Sequence, residues 1–316
     1  MILVMGNRKD PHVRAVLARL SEMSCGHVLL DAYEQGSGGF SHPLAEGVAL
    51  ALGREEAKLS SVTAVWWRQK AKPQVPAGAV LDLYNYNFVQ REWNTIFDYV
   101  AAKTAHVFSM NDRQRAKLAE NKAFQLEVAG GFQLQAPKTI ITNRPDEAVR
   151  FFKEAGVRRC VYKSFSPYMP PNATMAYTTE LDIVELCCGE FQETTDATPG
   201  IFQELIEADH EIRVTVVGDE LFSARIDTPA DVSGVDWRVS LFKNRYSHVT
   251  LPAALEANLL RYHAHLGLVF AAYDFIVTKN GDIFFLEVNP SGQWMWLEEQ
   301  LGLPISGAIA DALKRA

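Results

Sequence analysis

The chain has 316 residues, 48% of them hydrophobic, enough to bury a sizeable core and, by length, to build roughly two or three compact units. Its formal charge of −7 leaves no basic footprint for neutralising nucleic-acid phosphates or an anionic membrane surface. No apolar run reaches the roughly 20 residues of a membrane span, and the opening Met1-Ile2-Leu3-Val4-Met5-Gly6 is too short and uncharged for a secretory signal; a soluble, cytoplasmic protein is expected, with no nucleic-acid and no membrane partner.

Residues 1–6 read as a strand, 11–23 as a helix opened by Asp10 and Pro11, 27–31 and 63–67 as further strands, and 86–103 as a long helix. Short apolar runs alternating with helices are the pattern of a parallel sheet with crossover helices. Gly6-Asn7-Arg8-Lys9 lacks the G-x-G-x-x-G fingerprint of a dinucleotide site. Gly36-Ser37-Gly38-Gly39 lacks the Lys-Ser/Thr and the following helix of a phosphate loop, and reads as a surface loop. Cys25, Cys160, Cys187 and Cys188 show no C-x-x-C spacing and no neighbouring base, so they read as reduced, mostly buried thiols.

A helix is expected over 111–130, capped by Asn111 and stopped by Gly130-Gly131. A strand over 138–142, a helix over 145–154 and a strand over 160–165 follow, then a proline-rich loop over 166–172. Strands are expected over 201–206, 211–217 and 220–226, the last two forming a hairpin at Gly218-Asp219. After an amphipathic helix over 252–268, a second hairpin joins 273–278 to 282–288 through Asn280-Gly281, and the remainder from 293 is mostly helical.

The most informative segment is Asp282-Ile-Phe-Phe-Leu-Glu-Val-Asn-Pro-Ser-Gly, where an apolar strand presents Glu287 and Asn289 on one face. Asp274 lies across the hairpin in another apolar strand. Buried carboxylates are costly without a cation or donor, so two acids and an amide converging here suggest an oxygen-ligated hard metal, best matched by Mg²⁺ bridging nucleotide phosphates. Lys163 sits within a strand and Lys122 near the end of a helix; singly, each also fits an edge guard or a solvated lysine. Gln203-Glu204-Leu205-Ile206 adds an acid suited to ribose hydroxyls, beside backbone for an adenine. Arg213 and Arg225 lie on hairpin strands, where a planar charged fork could hold a carboxylate or an acyl phosphate. His263 and His265, two apart on a helix, face away from each other and are not read as zinc ligands.

Taken in order, helix lysine, strand lysine, Gln-Glu-aliphatic run, strand arginine, strand aspartate and Glu-x-Asn-Pro resemble the ATP-grasp superfamily, which includes glutathione synthetases and enzymes that add glutamate to a ribosomal protein. Equal intervals separate Lys122 from Lys163 and Lys163 from Glu204. The resemblance implies an α/β chain, α+β in its C-terminal half: a Rossmann-like N-terminal domain over 1–110, a central ATP-grasp subdomain over 111–200 and a C-terminal one with the Mg site over 201–316. It implies ATP and Mg²⁺ as cofactors. Lys122 and Lys163 would contact phosphates, Gln203, Glu204, Leu205 and Ile206 would line the nucleotide pocket, and Asp274, Glu287 and Asn289 would hold the metal. Arg213 would steady the transferred phosphoryl group, and a loop between Ser164 and Glu180 would close over it.

Trp66-Trp67-Arg68, Arg91-Glu92-Trp93-Asn94, Ala224-Arg225-Ile226-Asp227, Asp236-Trp237-Arg238 and Asn289-Pro290-Ser291-Gly292-Gln293-Trp294 further resemble the microviridin-type (graspetide) ribosomal peptide maturases. These close side-chain esters or amides in a precursor peptide. On that resemblance Arg225, Asp236 and Arg238 would bind the acidic side chain or orient the nucleophile, while Trp294 and Trp296 serve either packing or substrate. The partner implied is a precursor peptide with a leader segment; homodimerisation is left open. A linear amide ligase, adding an amino acid to a small molecule or protein tail, and a non-catalytic nucleotide-binding regulator remain as alternatives.

Overall fold

The computed structural model describes residues 1–31, 40–43, 49–52, 55–68, 83–165, 178–187, 196–229 and 243–315. The first elements are β1 (Ile2–Met5), α1 (Pro11–Glu22), β2 (His27–Leu30), three short strands β3 (Phe40–Ser41), β4 (Leu50–Leu52) and β5 (Glu55–Ala57), then β6 (Ala64–Trp67), α2 (Leu83–Lys103) and β7 (Phe108–Met110). The expected parallel sheet is present in the order β2-β1-β6-β7. Asp10 caps α1 by accepting from the His12 backbone N–H, with Pro11 fixing the first helical φ. The short strand β7 carries no run long enough to signal itself in the sequence; its place is set by pairing with β6.

The single helix expected over 111–130 is two, α3 (Arg113–Ala119) and α4 (Lys122–Ala129). Asp112, not Asn111, caps α3, and Asn121 restarts the chain by accepting from Ala123 and Phe124 N–H. Lys122 is therefore the first residue of a helix rather than one near its end.

The elements β8 (Thr139–Thr142), α5 (Pro145–Glu154), β9 (Arg159–Lys163), β10 (Thr179–Asp182) and β11 (Gly200–Glu204) form an antiparallel sheet in the order β10-β9-β11-β8. It has its own core of Ala148, Phe152, Val157, Cys160, Ile183, Leu186 and Phe202. Next come β12 (His210–Val217), β13 (Glu220–Asp227), β14 (Arg245–His248), α6 (Ala253–Leu266), β15 (Phe270–Val277), β16 (Ile283–Asn289), α7 (Met295–Leu301) and α8 (Ile305–Arg315). The strands make a larger antiparallel sheet in the order β14-β13-β12-β15-β16. Both expected hairpins form, with Gly218 and Gly281 supplying the positive φ their turns require. The strands β10 and β14 were not legible as strands; both are short and neither has a fully buried position.

One face of the larger sheet packs on α6 and α4 through Val214, Leu259, Tyr262, Tyr273 and Phe285. The other face shares a core with the parallel sheet, α1 and α8, through Val4, Trp66, Phe222, Phe270, Trp294 and Ile309. Cys160 is buried as expected, but Cys25 is half-buried and Cys187 exposed, and all three are free thiols; Cys188 and Gly36-Ser37-Gly38-Gly39 lie outside the described residues. Among the described residues no helix is long and apolar enough to cross a membrane.

Candidate active site

Strand register brings the central residues together. Arg213 on β12 lies opposite Asp274 on β15, and Asp274 lies opposite Glu287 on β16. Ala272, two residues before Asp274, lies opposite Asn289, so Arg213, Asp274, Glu287 and Asn289 share one face. A register shift after Asp274 makes this work: Phe285 pairs with Phe275 and both enter the α6-side core. Without the shift Glu287 would follow Phe285 into that core; the extra residue turns it to the opposite face.

The acids on this face are met by cations from the same chain. Arg213 Nη1 donates to both Asp274 carboxylate oxygens at 2.7 Å, with both residues buried. Its Nη2 donates to the Gln293 carbonyl at 3.3 Å. Lys122 Nζ lies 3.2 Å from Glu287 Oε2. That approach is fixed one turn along α4 by Gln125, whose side-chain amide donates to the Val288 carbonyl at 2.8 Å and accepts from the Val288 N–H at 3.1 Å. Gln125 thus replaces a neighbouring strand along this stretch of β16 and holds Lys122 beside Glu287.

The other nucleotide-type residues sit on the smaller sheet. Lys163 Nζ donates to Gln203 Oε1 at 2.8 Å, and Gln203 Nε2 donates to Thr139 Oγ1 at 3.0 Å, a chain across β9, β11 and β8. Glu204 ends β11. Half-buried Leu205 and Ile206 follow in the link to β12, where the Leu205 N–H donates to the Arg159 carbonyl.

Arg225 is not brought to this cluster. It lies opposite Ile212, whereas Arg213 lies opposite Ala224, so the two arginines leave opposite faces of the sheet. Arg225 is held by Asp227 at 2.6 to 2.9 Å, a hydrogen-bonded pairing that raises its pKa. Asp236, Trp237 and Arg238, and residues 166–177 of the expected closing loop, lie outside the described residues.

The sequence reading missed the residues that fix the corner after Asn289. The Pro290 carbonyl accepts from Asn111 Nδ2 at 3.0 Å, and the Ser291 and Gly292 carbonyls accept from Arg68 Nη1 at 2.7 and 3.0 Å. The Trp294 and Met295 N–H groups both donate to His12 Nε2, at 3.1 and 3.2 Å. With Nε2 accepting, the His12 proton resides on Nδ1, 2.6 Å from Asp10 Oδ1. Burial opposes charge on Asp10, yet the His12 hydrogen bond and the Arg68 guanidinium, 3.2 Å away, hold its carboxyl down at about 2. In the sequence Arg68 shows only as part of Trp66-Trp67-Arg68, Asn111 reads as a cap, and His12 gives no signal. Of the two tryptophans, Trp294 is fully buried, and the Trp296 ring lies 4.6 Å from that of Tyr246, tilted by 45°.

Among the described residues no group of three or more His, Cys, Asp or Glu could hold a metal. Two carboxylates and an amide on one face are fewer ligands than a full protein cage. They suit an ion such as Mg²⁺, which keeps waters and takes substrate phosphates.

No protein-family model and no curated protein matches the sequence. Solved structures do match. The macrocyclase MdnC of Microcystis aeruginosa, bound with precursor peptide MdnA, is 25% identical over 100% of both chains, with a TM-score of 0.83. A RiPP-associated ATP-grasp ligase of Chryseobacterium gregarium, in complex with ADP and a leader and core peptide, is 24% identical over 100% of this chain and 97% of that one, with a TM-score of 0.85. The macrocyclase MdnB of Microcystis aeruginosa is 26% identical over 99% and 98%, with a TM-score of 0.79.

Proposed function

We propose that this chain, which has the ATP-grasp fold shared end to end with ribosomal-peptide macrocyclases, is an ADP-forming ligase that joins side chains within a precursor peptide. The carrying observation is the single sheet face presenting Arg213, Asp274, Glu287 and Asn289 with Lys122 against it. Residues 1–110, 111–200 and 201–316 are read as its N-terminal, central and C-terminal parts. The macrocyclase neighbour bound to precursor peptide and the RiPP-associated ATP-grasp ligase bound to ADP with leader and core peptide support a leader-bearing peptide as partner.

Asp274, Glu287 and Asn289 are the residues that would hold Mg²⁺, which when bound supplies charge neutralisation and orientation of the ATP phosphate oxygens. Lys122 exchanges Glu287 for a phosphate, and Lys163, held in place by Gln203, takes another. Glu204, at the end of β11, and Leu205 and Ile206, in the link to β12, would face the nucleoside. An acidic side chain of the peptide attacks the γ-phosphorus in line, releasing ADP and leaving an acyl phosphate. A hydroxyl or amine of the same peptide then attacks the acyl carbon and expels phosphate, so the ring forms with net loss of water. Arg213, fixed between Asp274 and the Gln293 carbonyl, is placed to meet the charge that develops on the acyl oxygen.

The test is ADP release with Mg-ATP and candidate precursor peptides, read alongside each peptide's intact mass. A loss of about 18 Da per ADP establishes ring closure by acyl transfer. ADP release only when a free amino acid is supplied, with a gain in acceptor mass, would replace this reading by linear ligation.

A further inference from the structure

Asn289 closes β16, and the chain then turns through Pro290, Ser291 and Gly292. A trans peptide unit is planar and points its C=O and N–H in opposite directions, so a group that holds the carbonyl also aims the N–H. The Pro290–Ser291 peptide gives its N–H to Asn289 Oδ1 at 3.1 Å, and the Ser291–Gly292 peptide gives its N–H to the Asn289 backbone carbonyl, also at 3.1 Å. Because the facing group is an N–H donor, the side-chain atom turned toward the corner is the Asn289 oxygen and not its nitrogen. An amide oxygen has two lone pairs; with one engaged by Ser291, the other is left for a cation.

The carbonyls of both peptides are held by buried side chains from far earlier in the chain. Asn111 Nδ2 donates to the Pro290 carbonyl at 3.0 Å, and Arg68 Nη1 donates to the Ser291 carbonyl at 2.7 Å. Each of these side chains is itself anchored. Asn111 also donates to the Phe270 carbonyl at 2.7 Å and accepts from the Val269 and Phe270 N–H groups at 2.7 and 2.8 Å, which fastens its amide to the start of β15. Arg68 Nε donates to Asp10 Oδ2 at 3.2 Å. The corner also lies hard against the sheet: a Cβ at Gly292 would stand 2.3 Å from that of Ala272, the register partner of Asn289, and 3.0 Å from Arg213 Nη2. Only glycine permits so close an approach. A ligand oxygen fixed in advance needs no ordering when a metal binds, and the groups that orient metal ligands change metal affinity by about 10–100-fold when lost.

We infer that Asn111 and Arg68 are positioning residues for Asn289: through the two peptides of the corner they fix its side-chain oxygen on the face that carries Asp274 and Glu287, and so set the affinity of that face for Mg²⁺. The effect on metal rests on the ligase reading of that face; the fixing of the Asn289 carboxamide does not.

The experiment uses the full chain labelled with ¹⁵N, in which the side-chain amide resonances of Asn289 are assigned by their loss in Asn289→Ala. In the unaltered, metal-free chain the Asn289 Nδ2 group should show a heteronuclear NOE close to that of the β15 backbone amides, the signature of a fixed carboxamide. Asn111→Asp keeps the acceptor that faces Val269 and Phe270 but loses the donor that faces Pro290; Arg68→Lys keeps the charge that faces Asp10 but loses the planar fork. In both variants the NOE should fall toward that of a solvent-exposed asparagine. The Mg²⁺ dissociation constant, measured by calorimetry with a saturating non-hydrolysable ATP analogue, should rise about tenfold. Leu259→Ala, a core truncation on the α6 side of the sheet, should lower stability yet leave that constant within about twofold, which separates aim from general loosening. If Asn111→Asp does not fold, Arg68→Lys carries the same comparison. A mobile Asn289 amide in the unaltered chain, variants that bind Mg²⁺ as the unaltered chain does, or an equal loss in Leu259→Ala would overturn the inference. A rigid carboxamide in a chain that binds no Mg²⁺ with nucleotide would instead overturn the metal reading of the face, and the effect on affinity with it, while establishing the clamp.

Discussion

Arg213 and Asp274 are two buried opposite charges bonded at 2.7 Å, and removing one strands the other. Arg213→Leu alone should therefore destabilise by about 3–5 kcal/mol, while Arg213→Leu with Asp274→Leu should recover much of that loss, since apolar replacement of both charges is often neutral. Urea unfolding of the four cycle members measures it, and additive single losses would show that the pair does not act as a unit. Glu287 behaves differently, because it and Lys122 are both partly exposed. Glu287→Gln should change stability by less than about 1 kcal/mol, yet lower the rate of ADP release by about 100-fold or more if the proposed metal ligand is lost. Near-normal ADP release by that variant would remove Glu287 from the metal site. The acids within apolar strands were legible in the sequence because period-2 alternation leaves them on a defined face. Arg225 looked equivalent to Arg213 on the same reasoning, and only the pairing register, which no local pattern encodes, separates the faces.

At the level of elements, local chemistry decided what could be read. The hairpins at Gly218 and Gly281 and the cap at Asp10 were visible because turn and cap residues act within a few positions. The break between α3 and α4 was hidden because Asn121 reads as an ordinary helical polar residue until its cap bonds are seen. The packing of α6 on β15 was also hidden. His263, not read as a zinc ligand, is buried with Nδ1 2.7 Å from Tyr273 Oη and no partner for Nε2. Burial lowers its pKa to about 4 from 6.5. The folded chain therefore keeps His263 neutral where the unfolded chain takes up a proton, so this contribution is complete above about pH 6.5 and is lost as pH falls toward about 4. The full loss is about 3 kcal/mol. His263→Gln should flatten this limb of the stability profile, measured by urea unfolding between pH 7 and pH 4.5. An unchanged slope in the variant would mean that other groups carry it.

Across the whole molecule, the parallel sheet and the larger antiparallel sheet are joined by one core, to which Val4, Trp66, Val217, Phe270, Trp294 and Ile309 all belong. Arg68 and His12 fasten that joint through the backbone of residues 291–295, contacts spanning more than two hundred positions and invisible to any local reading. The smaller sheet and α5 instead bury their own core between Ala148 and Phe202. Cooperative units follow shared cores, and a unit with a separate, smaller core opens at lower free energy than the global transition. Amides of β9 and β11 should therefore exchange hydrogen faster than those of β12 and β15. Addition of Mg²⁺ with a non-hydrolysable ATP analogue should slow β9 and β11 selectively, since Lys163 and Gln203 on the small sheet, Glu287 on the large one and Lys122 on α4 beside it would then hold one ligand between them. Lys163→Met should abolish that slowing while leaving exchange of the ligand-free protein nearly as it was, because Lys163 is proposed to grip the nucleotide and does not belong to the Phe152–Phe202 core. If both sheets exchange at one common rate with and without nucleotide, the small sheet is part of a single rigid body, and the proposed grip of Lys163 on phosphate is not what orders it.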